Sequence, residues 1–162
     1  MIIDSQIEKC LTSTTLESRE IPEIDLYMDQ ILSLLNSHFA ENDSKIITKT
    51  MINNYSKAKV LAPVKGKKYT KQQIIQILIV YYLKNNMAIS DIKEVLEPLY
   101  ENDSDLIAIY DQFVQEKIQL ADELRSILKP QLENSNDENK LLTLLKLSFM
   151  ADAIKEIMMT IK

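Results

Sequence analysis

The stretch "ITKTMINNYSKAKVLAPVKGKKYTKQQ", Ile47 to Gln73, decides how this chain is read. It holds seven lysines, the only glycine of the chain, and no acid. The whole chain nevertheless carries −5. From Lys45 to Ser90 there are nine lysines and still no Asp or Glu, so this segment is +9 and the remainder −14. Charge divided so unevenly creates a local positive field in an acidic protein.

Within the stretch, Thr48 is suited to cap a helix over about residues 49–58. At about 100° per residue, Met51, Ile52, Tyr55 and Ala58 share one arc, and Lys49, Asn53, Ser56 and Lys57 occupy the opposite one. A helix this short is unstable alone, so its apolar arc must dock on neighbours. Pro63 ends it, and Gly66 admits a positive φ. Two short extended arms can then fold about a turn, which predicts a small β-hairpin wing over about 63–69 carrying Lys65, Lys67 and Lys68. Thr70 and Gln73 have the spacing of a capping box. The helix they open, "KQQIIQILIVYYLKNN", is apolar over most of its surface and belongs at the centre of the core. Its greasiest part, Ile74 to Leu83, is too short to span a bilayer.

Towards the amino terminus, residues 1–21 show no period and read as a flexible segment. Pro22 suits a helix start, and Ile24, Tyr27, Ile31, Leu34 and His38 recur at steps of three and four, as on one face of a helix. "ENDS" at 41–44 reads as a loop. Towards the carboxy terminus, "AISDIKEVLEPLY" reads as a short helix capped by Ser90 or Asp91 and interrupted near Pro98. A longer helix, Ser104 to Lys129, carries Leu106, Tyr110, Phe113, Leu120, Leu124 and Ile127 at heptad-like spacing. After the polar linker "ENSNDEN" (133–139), a last helix over roughly 138–161 sets Leu147, Met150, Ile154, Ile157 and Ile161 along one seam. Leu142, Leu145, Phe149 and Ala153 form a second strip beside it. So wide an apolar face either leaves area for another subunit or is buried inside the monomer. The domain expectation is 22–100 for the basic domain and 101–162 for a helical extension suited to dimerisation.

Composition narrows the function classes. One glycine and four prolines in 162 residues, with 46% apolar and 27% charged residues, describe a mainly helical globular chain with short loops. Cys10 is alone, which excludes an internal disulfide and fits a reducing cytoplasm. It sits in a polar, frayed end and makes a poor catalytic thiol. "MIIDSQIEKC" has neither the basic start nor the apolar run of a secretory signal. His38 is the only histidine and has no second His or Cys to complete a metal site. "KGKKYT" lacks the spacing of a phosphate-binding loop. No catalytic residue, metal or cofactor is therefore expected, and the chain is not read as an enzyme.

The block "TMINNYSKAKVLAP…KGKKYTKQQIIQILIVYYLKNNMAISDIKEVL" resembles the DNA-binding domain of the MerR regulators. More closely, "ITKTMINNYSKAKVL…KKYT" is similar to the bacterial domain of unknown function 1836, itself regarded as MerR-like. The resemblance covers most of residues 22 to about 130. It implies a mainly α, MerR-like winged helix-turn-helix with additional C-terminal helices. By position, Tyr55 matches the second residue of a tyrosine pair in the recognition helix and Asn54 stands where the first would be. Lys68 and Tyr69 match the basic-aromatic pair that closes the wing. Asn53 replaces the usual arginine, and an amide addresses adenine or a phosphate where arginine would grip guanine.

Residues and resemblance together give the functional expectation: a DNA-binding transcriptional regulator in the cytoplasm, with no membrane contact. Lys49, Asn53, Asn54, Tyr55, Lys57, Lys65, Lys67, Lys68 and Tyr69 would face double-stranded DNA, and the C-terminal helices would join two copies as a homodimer. Tyr55 lies on the apolar arc and is also a core candidate. The alternative is a non-enzymatic helical interaction module whose lysines bind an acidic protein partner.

Overall fold

The computed structural model describes residues 2–11, 15–39, 46–102, 104–133, 135 and 139–162. The predicted loop at 41–44, Lys45 and most of the 133–139 linker lie outside them. The order of elements is α1 (Ile2–Leu11), a 3-10 turn (Ser18–Glu20), β1 (Leu26–Tyr27), α2 (Met28–Phe39), α3 (Lys49–Lys57), β2 (Lys68–Tyr69), α4 (Lys71–Leu83), α5 (Ile89–Glu101), α6 (Leu106–Glu133) and α7 (Lys140–Ile161). The fold is mainly α with one two-stranded antiparallel sheet. The chain forms two compact units, Thr14–Val114 and Met1–Ser13 with Gln115–Lys162.

In the unit Thr14–Val114, α4 is the central element. Thr70 Oγ1 accepts from the Gln73 N–H and the Gln73 side chain accepts from the Thr70 N–H, so the predicted capping box is formed. Eight residues of α4 are buried, among them Ile74, Ile75, Ile77 and Leu78. Two of the eight are glutamines. Gln76, only 1% exposed, accepts from the Ala62 N–H at 2.9 Å, and Gln73 Nε2 donates to the Ala62 and Pro63 carbonyls at 3.3 and 3.0 Å. Buried amides are tolerated when their hydrogen bonds are met, and these are met by the backbone that follows α3.

That arrangement corrects the predicted hairpin about Gly66. β2 pairs with β1, from before α2, in the register Leu26↔Tyr69 and Tyr27↔Lys68. The arm at 62–63 cannot serve as the second strand. Its backbone groups are taken by Gln73 and Gln76, and Pro63 has no N–H to offer. Gly66 does adopt the expected left-handed conformation, φ 73°.

Other boundaries also differ from expectation. The predicted helix from Pro22 starts instead at Met28, because the strand pairing holds residues 26–27 extended and the Tyr27 N–H donates to the Gln30 side chain. Ile24 is 70% exposed, and the buried stripe is Ile31, Leu35 and Phe39. α5 starts after Ala88 and runs through Pro98, burying Ile92 and Leu96. The amino-terminal segment expected to be flexible contains α1, and Leu16 and Ile21 are core residues. Tyr110 Oη donates to the Leu16 carbonyl at 2.6 Å, which ties that segment to α6.

In the other unit, Arg125 grips Glu8 of α1 with two hydrogen bonds, at 2.7 and 2.9 Å, and also pairs with Asp122. Thr143 is the buried residue of α7. Among the described residues, no helix is long and apolar enough to cross a membrane.

All seven tyrosines lie between Tyr27 and Tyr110, and there is no tryptophan, so tyrosine emission reports the unit Thr14–Val114 alone. Replacing Gln76 by leucine strands the part-buried Ala62 N–H and should cost about 1–3 kcal/mol, whereas Gln72→Ala should change stability by no more than about 0.5 kcal/mol. Urea unfolding followed by tyrosine emission distinguishes them; equal midpoints would show that the Gln76 hydrogen bond carries no weight.

Alkaline pH tests the same core. Burial pushes the Tyr55 phenol up from 10.0 to about 12, and burial also raises Tyr81, Tyr82, Tyr100 and Tyr110. A raised folded-state pKa means that the fold holds the neutral phenol. The stabilisation is full below pH 10 and is lost as pH climbs through about 12. Tyr55→Phe removes one of these groups, so its unfolding at high pH should begin later than the parent's in a pH titration followed by circular dichroism.

Candidate nucleic-acid interface

α3 is built as its sequence predicts. Thr48 Oγ1 accepts from the Met51 N–H at 3.2 Å, and Ile52 and Tyr55 are buried. Ser56, Lys49, Asn53, Lys57, Thr50 and Asn54 are exposed and follow one another around the helix as a single arc. Both ends of the segment are held from outside. Before the helix, the Asn36 side chain clamps Ile47, accepting from its N–H and donating to its carbonyl, each at 3.0 Å. After it, the Tyr100 hydroxyl donates to the Val60 carbonyl at 2.5 Å, and the two glutamines of α4 take residues 62–63.

The end of α3 is unusual in chemistry. The Val60 N–H returns to the Tyr55 carbonyl at 3.2 Å and the Lys59 N–H to the Ser56 carbonyl at 3.1 Å, the pattern of a Schellman motif. The residue that must turn left-handed there is Lys59, at φ 58°. Glycine ordinarily fills that position, because a Cβ in this region is strained.

Two grooves flank the strap at 61–68. The first, about 520 Å³, has Lys49, Asn53 and Ser56 on its α3 side and Leu61 to Val64, Gly66 and Lys67 on its strap side, with Tyr27, Met28 and Asp29 also lining it. The second, about 360 Å³, is lined by Lys65, Lys68, Thr70 and Gln72 together with Asp25 and Tyr100. Ala62 and Pro63 line both, which makes the strap the ridge between them. Lys49 and Lys67, far apart in sequence, thus share one groove, while Lys65 and Lys68 share its neighbour. Lys57 lines neither but is exposed on the same arc of α3 as Lys49 and Asn53.

Among the described residues, no ion pair links Lys49, Lys57, Lys59, Lys65, Lys67 or Lys68 to a carboxylate. Lys68 has its Nζ 4.9 Å from the Tyr27 ring centroid, a cation–π contact between cross-strand neighbours. Two lysines of the basic segment are otherwise engaged. Lys71 pairs with Glu23 at 2.5 Å, and Lys84 lies over the Tyr81 ring, its pKa lowered by burial.

Of the two tyrosines of the expected site, Tyr69 lines the first groove from within the core and Tyr55 lines neither groove. Tyr55 is 4% exposed and Tyr69 is 7% exposed; both pack in the core. The Tyr55 hydroxyl is buried without a hydrogen-bond partner among the described residues. Sequence reading passed over Lys59, whose exposed charge and left-handed backbone become visible only when the helix end is seen. Its signal was present as a lysine one residue past the last helical turn, where a glycine would be usual. Among the described residues, no group of three or more His, Cys, Asp or Glu could hold a metal.

No curated protein and no solved structure matches this chain. A family does match, over residues 16–113, which takes in the sheet, α2 to α5, the start of α6 and every lysine of the two grooves. With more than half of its length matched, the chain belongs to the family described as domain of unknown function, DUF1836.

Proposed function

We propose that the surface formed by α3 and the 61–68 strap binds double-stranded DNA, and that the chain is a transcriptional regulator with a winged helix-turn-helix of MerR-like type. One observation carries this reading. Four exposed lysines, Lys49, Lys65, Lys67 and Lys68, line two adjacent grooves, Lys57 and Lys59 are exposed on α3 and at its end, and none of the six has a carboxylate partner among the described residues; one of the grooves also presents Asn53 and Ser56. Lysines serve as mobile point charges that grip phosphates, while an amide can read a base edge. Lys49 and Lys67 would contact backbone across the first groove, with Asn53 between them directed at bases. Lys57, Lys65 and Lys68 would extend the phosphate contacts, and Asn54 lies at the edge of the same arc. Tyr55 and Tyr69 support the surface from beneath.

Salt dependence tests the electrostatics. If about six phosphates are neutralised per chain, log K against log salt should have a slope near −5 on random-sequence duplex DNA, and Lys49→Ala with Lys57→Ala should flatten it by about 2. Asn53→Ala should leave that slope intact but reduce the sequence enrichment obtained from a random duplex library. Absence of binding at low salt would favour the acidic protein partner instead. Unchanged behaviour of these variants would remove α3 from the interface.

Lys59 offers a second test. Strained backbone that persists at a surface points to use of the side chain it carries. Lys59→Gly should stabilise the unit by up to about 1 kcal/mol, by relieving the left-handed turn, while weakening binding to random-sequence duplex. Urea unfolding and fluorescence anisotropy on the same variant would read both. A variant that gains stability and keeps full affinity would show that Lys59 makes no contact.

A further inference from the structure

In its first half, α7 carries apolar side chains on every side. Leu141, Leu142, Leu144, Leu145 and Phe149 are all exposed, Phe149 at 73%, and Ile154, Ile157 and Ile161 continue the exposure along the helix. Helices apolar all round are ordinarily buried. On the side that carries Phe149, Leu141, Leu142, Leu145, Phe149 and Ile157 at roughly 100 Å² each come to about 500 Å², so that two copies bury about 1,000 Å², the lower end for a specific interface. Monomeric soluble proteins rarely leave a patch of that size uncovered.

We propose that α7 is a dimerisation helix, packing antiparallel on α7 of a second copy about a two-fold axis near Ala151. Self-pairing is favoured over a foreign partner because the helix is complementary to its own reverse. Leu142, Leu145, Phe149, Ala153 and Glu156 fall on one arc. An antiparallel two-fold sets Phe149 against the small Ala153 of the second copy, so bulky and small side chains interdigitate. It also sets Lys146, at the border of that strip, against Glu156 on the strip of the second copy. Among the described residues, neither Lys146 nor Glu156 forms an ion pair; the Lys146 Nζ meets only the neutral Gln131 side chain, at 3.4 Å. A parallel pair would instead place lysine against lysine and glutamate against glutamate, which is repulsive. This inference does not depend on what the α3 surface binds.

Analytical ultracentrifugation of the full chain over a range of micromolar concentrations tests it. The parent should sediment as a dimer. Phe149→Glu should sediment as a monomer with its circular dichroism unchanged, since Phe149 is exposed in the single chain. Lys146→Glu and Glu156→Lys should each weaken the dimer by about tenfold or more, and the double variant should recover the parent affinity, because the opposite charges meet again. Three results would overturn the proposal: a monomer at every concentration, a dimer indifferent to Phe149→Glu, or a double variant no tighter than the single ones.

Discussion

Three side-chain amides fix the backbone on either side of α3. Asn36 clamps Ile47 just before the helix cap, and Gln73 and Gln76 take the backbone at Ala62 and Pro63 just after the helix end. The helix itself is nine residues long and could not hold its direction alone. Burial of Ile52 and Tyr55 sets which face is inward, but apolar contact is not directional and would tolerate sliding. Hydrogen bonds from buried amides do not. They lock the strap against α4, and the two grooves exist because the strap stands as a ridge between them. Gln73 is used twice: its oxygen closes the capping box of α4 and its nitrogen holds the strap, so the start of the core helix and the wall of the groove are one hydrogen-bonded unit.

The charge on this surface follows a different logic from the charge elsewhere. Arg125, Lys71, Lys93 and Lys129 each have a carboxylate within reach, the ordinary fate of a surface cation. Among the described residues, the lysines of α3 and the strap have none, although the chain contains more acids than bases. Asp25 and Asp29 line the grooves, and among the described residues they form no ion pair with these lysines. Like charges held near one another repel, and the repulsion is relieved when an anion arrives. A surface of this kind is therefore better satisfied in a complex than alone.

How far the sequence could be read depended on whether the signal was local. The Thr48 cap, the Thr70–Gln73 box, the positive φ at Gly66 and the burial of α4 all involve residues within a few positions of one another, and the structure contains each of them. The partner of β2 was not legible, because β1 lies some forty residues earlier and the ladder is two residues long. A strand so short leaves no alternating pattern to detect. In the sequence Gln76 is a lone polar residue within the apolar run Ile74 to Leu83, and nothing nearby shows that its partner is the backbone fourteen residues back. Pro98 was read as a break, yet α5 continues to Glu101, with Tyr100 docked on the Val60 carbonyl. At the candidate site, the exposed arc of α3 followed from its period, whereas the burial of Tyr69 and the turn at Lys59 required the tertiary frame.

α4 and α7 pose the same physical question and meet opposite answers. Neither has a polar face wide enough to suit a surface helix. α4 is covered on most sides by its own unit, so most of its aliphatic residues are buried, with Ile79 and Leu83 partly so. Among the described residues, α7 shares its unit with α1 and the later part of α6, too few elements to surround it, and most of its leucines and isoleucines are exposed. Hydrophobic pattern alone states that a helix must be covered, not by what. In α4 the glutamines show that the cover is the chain itself, because their hydrogen-bond partners lie in the same unit. In α7 the corresponding polar markers, Lys146 and Glu156, form no ion pair among the described residues, and the proposed second copy would supply one.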